Sequence, residues 1–270
     1  AALEAKSPEE LAALEAKVAA DIASVGSVKW IPNPGPQHQA YFSLADVLLY
    51  GGAGGGGKSS LIIGLALTAH KRSLIMRRHY NDLGAIIEDM LTINGTRDGF
   101  TKSIPPTLRT DDGRFVELGG LAKPGDENNW MGRPHDLFAL DEAAHVPEHQ
   151  VRFLMGWVRT TEPGQRCRVV LATNPPLSSE GGWLISMFAP WLDRTHPKPA
   201  KPGELRWFVT DEKGKDLEVP SSEPVMIDGK KARPLSRTFI PAALKDNPFL
   251  SSTDYAARLD ALQEPYRSAI

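Results

Sequence analysis

The sequence predicts an α/β domain built on a mostly parallel central sheet with helices on its faces. Three observations predict it. Short apolar runs alternate with segments of helical length from residue 46 to residue 176. A glycine-rich loop joins one of those runs to an apolar helix, and a later run ends in two adjacent carboxylates. Strands separated by helices need crossover connections, which parallel strands use and hairpins do not.

Composition narrows the class. The chain has 270 residues, 41% of them hydrophobic, which allows a buried core in one α/β domain with a small appendage. Net charge is −2, from 31 basic and 33 acidic residues. That balance supplies no global attraction to nucleic acid or membrane, so any such contact must be local. The one cysteine, Cys167, leaves no intrachain disulfide and fits a reducing compartment. No apolar run approaches the roughly 20 residues a spanning helix needs. "AALEAKSPEELAALEAK" at the start lacks the basic-then-apolar layout of a secretory signal. A soluble, intracellular protein is expected.

The elements follow in order. Residues 7–25 predict a helix: Ser7 and Glu10 form a capping box, Pro8 suits the first turn, and Leu11, Leu14, Val18, Ile22 and Val25 share one stripe. Residues 31–42 predict a proline-rich connector. Strands are expected at 46–50, 72–78 and 113–121 and in the apolar runs 135–143 and 167–176, which end in two carboxylates and in a polar turn, with helices at 59–70, 82–93 and 147–161. Residues 177–235 carry many prolines and charges with weak periodicity, which suggests hairpins or a mobile insertion. Tyr255, Leu259 and Leu262 restore a helical period in the tail. The chain divides into an N-terminal helix and connector (1–30), a core (31–235) and a C-terminal linker or lid segment (236–270).

Gly52, Ala53, Gly54, Gly55, Gly56, Gly57, Lys58 and Ser59 match G-x-x-x-x-G-K-[ST] without a gap. A loop wrapped around a triphosphate must turn successive N–H groups inward and visit positive φ, which glycine does with little steric cost. Lys58 would reach the β- and γ-phosphates, Ser59 would ligate Mg²⁺, and Ser60 continues the helix whose N-terminus faces the phosphates. A nucleoside triphosphate and Mg²⁺ are therefore the expected ligands. The run Leu137–Asp141 delivers Asp141 and Glu142 to the sheet edge where ligands of open α/β folds bind. Asp141 would hold the metal shell, and Glu142 would orient or deprotonate an attacking water. Thr173 and Asn174 end another apolar strand, where they can sense the γ-phosphate or simply form an Asn-Pro turn.

The order "GPQ…YGGAGGGGKSS…LIMRR…GRPHDLFALDEA…LATNPP…FIPAALKDNPFL" resembles the large terminase subunit of tailed bacteriophages, the ATPase that packages viral DNA. The resemblance runs from about Pro36 to the C-terminus and is weak over 177–235. It implies a P-loop NTPase of the additional-strand, catalytic-glutamate type with a small helical lid. It implies that Gln37 reads the adenine edge, with Gln39 a competitor for that role. Thr173 and Asn174 fall at the family's coupling motif. Arg77 and Arg78 stand where related motors keep an arginine facing the nucleotide, and Arg133 resembles the finger that a neighbouring subunit inserts. The implied partners are double-stranded DNA, further copies of the chain in a ring (a pentamer in the family), the portal and the small terminase subunit. The implied setting is the host cytoplasm at the procapsid portal, with no membrane. The family's nuclease domain has no counterpart that we can assign, so nuclease activity is not expected.

A translocating ATPase grips the phosphate backbone. Arg152, Arg159, Arg166 and Arg168, with the "KGK" and "GKKAR" loops, are candidates, and each is also explained by solvated surface. Two other classes share parts of this pattern: a helicase or recombinase-type ATPase, and a non-catalytic nucleotide-binding switch. A metabolic kinase fits least, because Glu142 has no clear task there.

Overall fold

A computed structural model describes residues 28–176, 179–251 and 253–261. The helix expected at 7–25 lies outside the described residues. The proline-rich connector contains a short helix, α1 (Pro36–Phe42), because Pro36 occupies its first turn, where a missing N–H costs nothing. There follow β1 (Val47–Gly52), α2 (Lys58–Thr68), β2 (Arg72–Arg77) and α3 (Leu83–Asn94). The next strands are β3 (Phe100–Thr101), β4 (Thr107–Arg109), β5 (Phe115–Gly120) and β6 (Leu137–Asp141). Helix α4 (Glu148–Met155) is shorter than the helix expected at 147–161, and Gly156 follows it. The chain continues through β7 (Arg168–Thr173), α5 (Trp183–Met187) and α6 (Ala189–Leu192).

Residues 206–232 form hairpins: β8 (Arg206–Thr210) pairs with β9 (Asp216–Val219), and β10 (Val225–Ile227) with β11 (Lys230–Ala232). Strand β12 (Leu235–Ala242) follows, then α7 (Pro248–Ser251) and α8 (Tyr255–Asp260).

Among the described residues, ten strands make one sheet in the order β3-β4-β5-β2-β6-β7-β1-β12-β8-β9. The stretch from β5 to β12 is parallel throughout, and antiparallel pairs extend it at both ends. Strand β7 lies between β1 and β6, the extra strand of the expected topology. Strand β12 pairs with β1 from Val47↔Arg237 to Gly52↔Ala242. The division expected at residue 235 therefore falls at the start of a strand of the central sheet.

The pleat explains why the central strands β1 and β6 are apolar on both faces. Leu48 and Tyr50 point to one face with Ile62, Leu65 and Met90 of α2 and α3. Val47 and Leu49 point to the other with Phe138, Leu140, Val151 and Phe188. A sheet covered on both faces must be apolar on both. No helix among the described residues is long and apolar enough to cross a membrane.

The crowding at the end of β1 is severe. Gly51 has φ 132°, and a Cβ there would lie 2.2 Å from the Thr173 carbonyl oxygen. Gly51→Ala should therefore lower unfolding stability by at least about 3 kcal/mol, since strain and clash add. Urea denaturation of the two proteins measures it, and a change within about 0.5 kcal/mol would refute the close approach of β1 and β7.

Candidate functional site

The parallel register brings the carboxyl ends of four strands to one edge. Met76 stands beside Leu140, Asp141 beside Ala172, and Gly51 beside Thr173. The glycine loop leaves β1 there and enters α2 through Gly57, at φ 74° and ψ 28°. Gly57 makes no side-chain cap, so the first N–H groups of this 11-residue helix keep their capacity to bind an anion. Lys58 Nζ reaches across the loop, donating to the Ala53 carbonyl and to Asn174 Oδ1 (2.6 Å). Burial lowers the Lys58 pKa, and Asp141 and Glu142 only partly offset it.

Asp141 closes β6 with 2% of its surface exposed. Its Oδ2 accepts from Ser59 Oγ (2.9 Å) and from Arg77 Nε (3.1 Å) and Nη2 (2.7 Å). Arg77 also donates to the Asp82 carbonyl at 3.1 Å. Burial would lower the Arg77 pKa, but the Asp141 charge and hydrogen bonds outweigh it and raise the value.

Glu142 follows at φ 57° and ψ 44°, in the left-handed region. That backbone is uncommon for glutamate and costs on the order of 1–3 kcal/mol. The turn leaves the Glu142 carboxylate partly exposed, 3.6 Å from Arg77 Nη2 and 3.7 Å from His145 Nδ1. Thr173 Oγ1 accepts from the Ala144 N–H just past Glu142 (3.2 Å). Asn174 holds Lys58, so the end of β7 touches both the glycine loop and the Asp-Glu turn.

Gln37 flanks the loop from outside, and Ser60, Arg133 and Arg78 face other parts of the chain. Ser60 Oγ accepts from Trp30 Nε1 (3.0 Å), so its hydroxyl faces the N-terminal connector rather than the loop. Gln37 is 3% exposed, with its amide donating to the Gly57 carbonyl (3.0 Å) and accepting from the Asn33 N–H (2.6 Å). Arg133 pairs with Glu117 (3.0 Å) and lies over the Trp130 ring, with 44% of its side chain exposed. Arg78 donates to the His145 carbonyl and to Glu180.

The DNA-contact candidates divide, and Arg168 needs correction. It is 4% exposed and donates to the carbonyls of Ala40 and Tyr41 at 2.9 Å, so it cannot meet a duplex. Burial and nearby Arg166 lower its pKa to about 10. Arg166 donates to the carbonyls of Ser43 and Ala45. Arg152 is held by Glu148 and Asp216. Arg159 keeps an open flank, over Trp157 and 3.3 Å from the Gly132 carbonyl. The i,i+4 spacing of Glu148 and Arg152 signals one of these pairings, whereas the carbonyls that hold Arg166 and Arg168 are distant in sequence and carry no local signal. Asn247 also reaches the site, donating to the Gly55 carbonyl (2.8 Å). A sequence separation of 192 residues carries no local signal for that contact.

Comparison with known structures adds one finding. The large terminase of a thermophilic bacteriophage in complex with ATP-gamma-S aligns at a TM-score of 0.52 and 13% identity, over 88% of this chain and 51% of that one. The same terminase with ADP aligns at a TM-score of 0.51 and 13% identity, over 86% and 51%. This chain has the fold of a phage large terminase. It spans about half the length of the thermophilic-phage terminases it matches. No family model and no curated protein matches it.

The lowered Lys58 pKa has a measurable sign. A buried lysine loses its proton below the ordinary lysine range, and a neutral amine cannot pair with phosphate. An anion binding at the loop should therefore take up protons, and affinity should fall as pH rises toward about 10, near the ordinary lysine value. Equilibrium binding of ADP from about pH 7 upward checks this, and an affinity independent of pH would contradict it.

Proposed function

We propose that this chain is the ATP-hydrolysing motor domain of a phage large terminase, acting on double-stranded DNA. One observation carries the proposal: Ser59 of the glycine loop and Arg77 of β2 converge on one oxygen of Asp141, with Glu142 beside it. Adjacent lysine, serine, aspartate and glutamate at the carboxyl edge of a parallel sheet suit phosphoryl transfer to water. The thermophilic-phage terminase that shares the fold was crystallised with ADP and with ATP-gamma-S.

The hydroxyl of Ser59 and the carboxylate of Asp141 are hard oxygen donors at adjacent positions, and they fit Mg²⁺. Ser59 and Asp141 would hold the ion, and its chemistry there would be to neutralise charge on the triphosphate. Gly52 through Ser60 bind the triphosphate by backbone N–H groups, with Lys58 pairing the β- and γ-phosphates. Glu142, turned out of the strand and partly exposed, accepts a proton from the attacking water or orients it. Arg77 steadies the carboxylates within the subunit. Asn174 exchanges its bond to Lys58 when a γ-phosphate competes for the ammonium, and it transmits that change along the segment after β7. Arg133, exposed and braced by Glu117, serves a neighbouring copy's site in a ring. Arg159 and the basic hairpin loops meet the phosphates of the duplex, with the portal and small subunit as further partners in the host cytoplasm.

Glu142→Gln should bind ATP about as tightly as the native chain and lose about 10²–10⁴ in turnover. Normal turnover in that variant removes Glu142 from the mechanism. Arg133→Ala should lower turnover by about 10³ or more and leave ATP affinity unchanged. Turnover per chain should also climb with protein concentration and with added linear duplex. A rate indifferent to both would sink the ring and motor readings.

A further inference from the structure

Three consecutive carbonyls of the glycine loop each accept a hydrogen bond from a different part of the chain. Asn247 Nδ2 donates to Gly55 (2.8 Å), the Tyr50 hydroxyl to Gly56 (3.0 Å) and Gln37 Nε2 to Gly57 (3.0 Å). In a trans peptide the C=O of one residue and the N–H of the next point in opposite directions. Holding these carbonyls outward therefore turns the N–H groups of Gly56, Gly57 and Lys58 toward the inside of the loop. We propose that Gln37, Tyr50 and Asn247 are positioning residues that preset the phosphate-binding loop, and that Gln37 braces the loop rather than reading the base. The proposal rests on the nucleotide-binding reading above.

The donors are themselves held. Gln37 Oε1 is occupied by the Asn33 N–H at 2.6 Å, and Asn247 Oδ1 by the Phe249 N–H at 3.2 Å. All three side chains come from residues no more than 8% exposed. Burial raises the Tyr50 pKa well above its usual value, with Asp246 adding to it, so the hydroxyl remains a donor. The outer side of the loop is also filled: a Cβ on Gly55 would lie 2.7 Å from Leu244 Cδ1, and one on Gly56 3.0 Å from Ala242. A run of glycines has the most backbone freedom to lose on binding. Ordering it before the ligand arrives removes that cost from the binding step.

The test compares Tyr50→Phe, Gln37→Met and Asn247→Ala with the native chain. Equilibrium binding of ATP and of GTP is measured for each, with amide hydrogen exchange at Gly56, Gly57 and Lys58 in the nucleotide-free protein. Asn247 follows β12 and lies outside the central sheet, so its variant carries the test should a variant of the more deeply buried Tyr50 fail to fold. Each variant should weaken ATP and GTP by the same factor, about 5–30-fold, and exchange at the loop amides should speed up. Loss of ATP binding with GTP binding unchanged in Gln37→Met would make Gln37 a base reader and overturn its place here. Native affinity and native exchange in all three variants would overturn the bracing altogether. A native chain that binds neither nucleotide would overturn the nucleotide-binding reading instead, and the bracing with it.

Discussion

A buried carboxylate organises this structure. Asp141 has lost nearly all contact with water, and an ionised group so placed must be paired and hydrogen-bonded. Its partners come from two other elements, Ser59 from the first turn of α2 and Arg77 from the end of β2. One oxygen thus ties together the glycine loop, the neighbouring strand and the Asp-Glu turn. The arrangement requires β2 and β6 to end level with one another, which their parallel register supplies.

The apolar body of the sheet makes that edge distinct. Strands β1, β2, β6 and β7 carry no charge between their ends, and Arg77 and Asp141 stand at the carboxyl edge. The opposite end of the sheet uses charge differently. Arg168 opens β7 by donating to α1, and Asp136 just before β6 accepts from His70 and from the Lys71 and Arg72 N–H groups. These are internal ties between the connector, the strands and their loops. The left-handed backbone of Glu142 is a local cost that the surrounding fold sustains.

Much of this was legible in the residues. The apolar runs marked the parallel strands, the glycine loop marked the start of α2, and the Asp-Glu pair marked the end of β6. The hairpins of 206–232 lie in the stretch whose residues suggested either hairpins or a mobile insertion. Gln37 was legible as a site residue, but its side chain faces Gly57 and Asn33, and pairing of that kind has no period in sequence. The arginines of 152–168 were read as basic surface because sequence shows their charge and not their neighbours. Strand β12 was read as the beginning of a linker, since nothing local distinguishes a central strand from an edge one.

The sequence by itself determined the alternation of strand and helix, the glycine loop that can turn its N–H groups inward, and the carboxylates at a strand end. Each of these depends on residue type and short spacing, which φ/ψ sterics and apolar periodicity translate directly into local structure. Tertiary structure alone decided that Asn247 and Tyr50 hold the loop, and that Arg166 and Arg168 are taken up by distant carbonyls. Those outcomes depend on where segments distant in sequence meet, and a contact such as Asn247 to Gly55 has no short spacing to read.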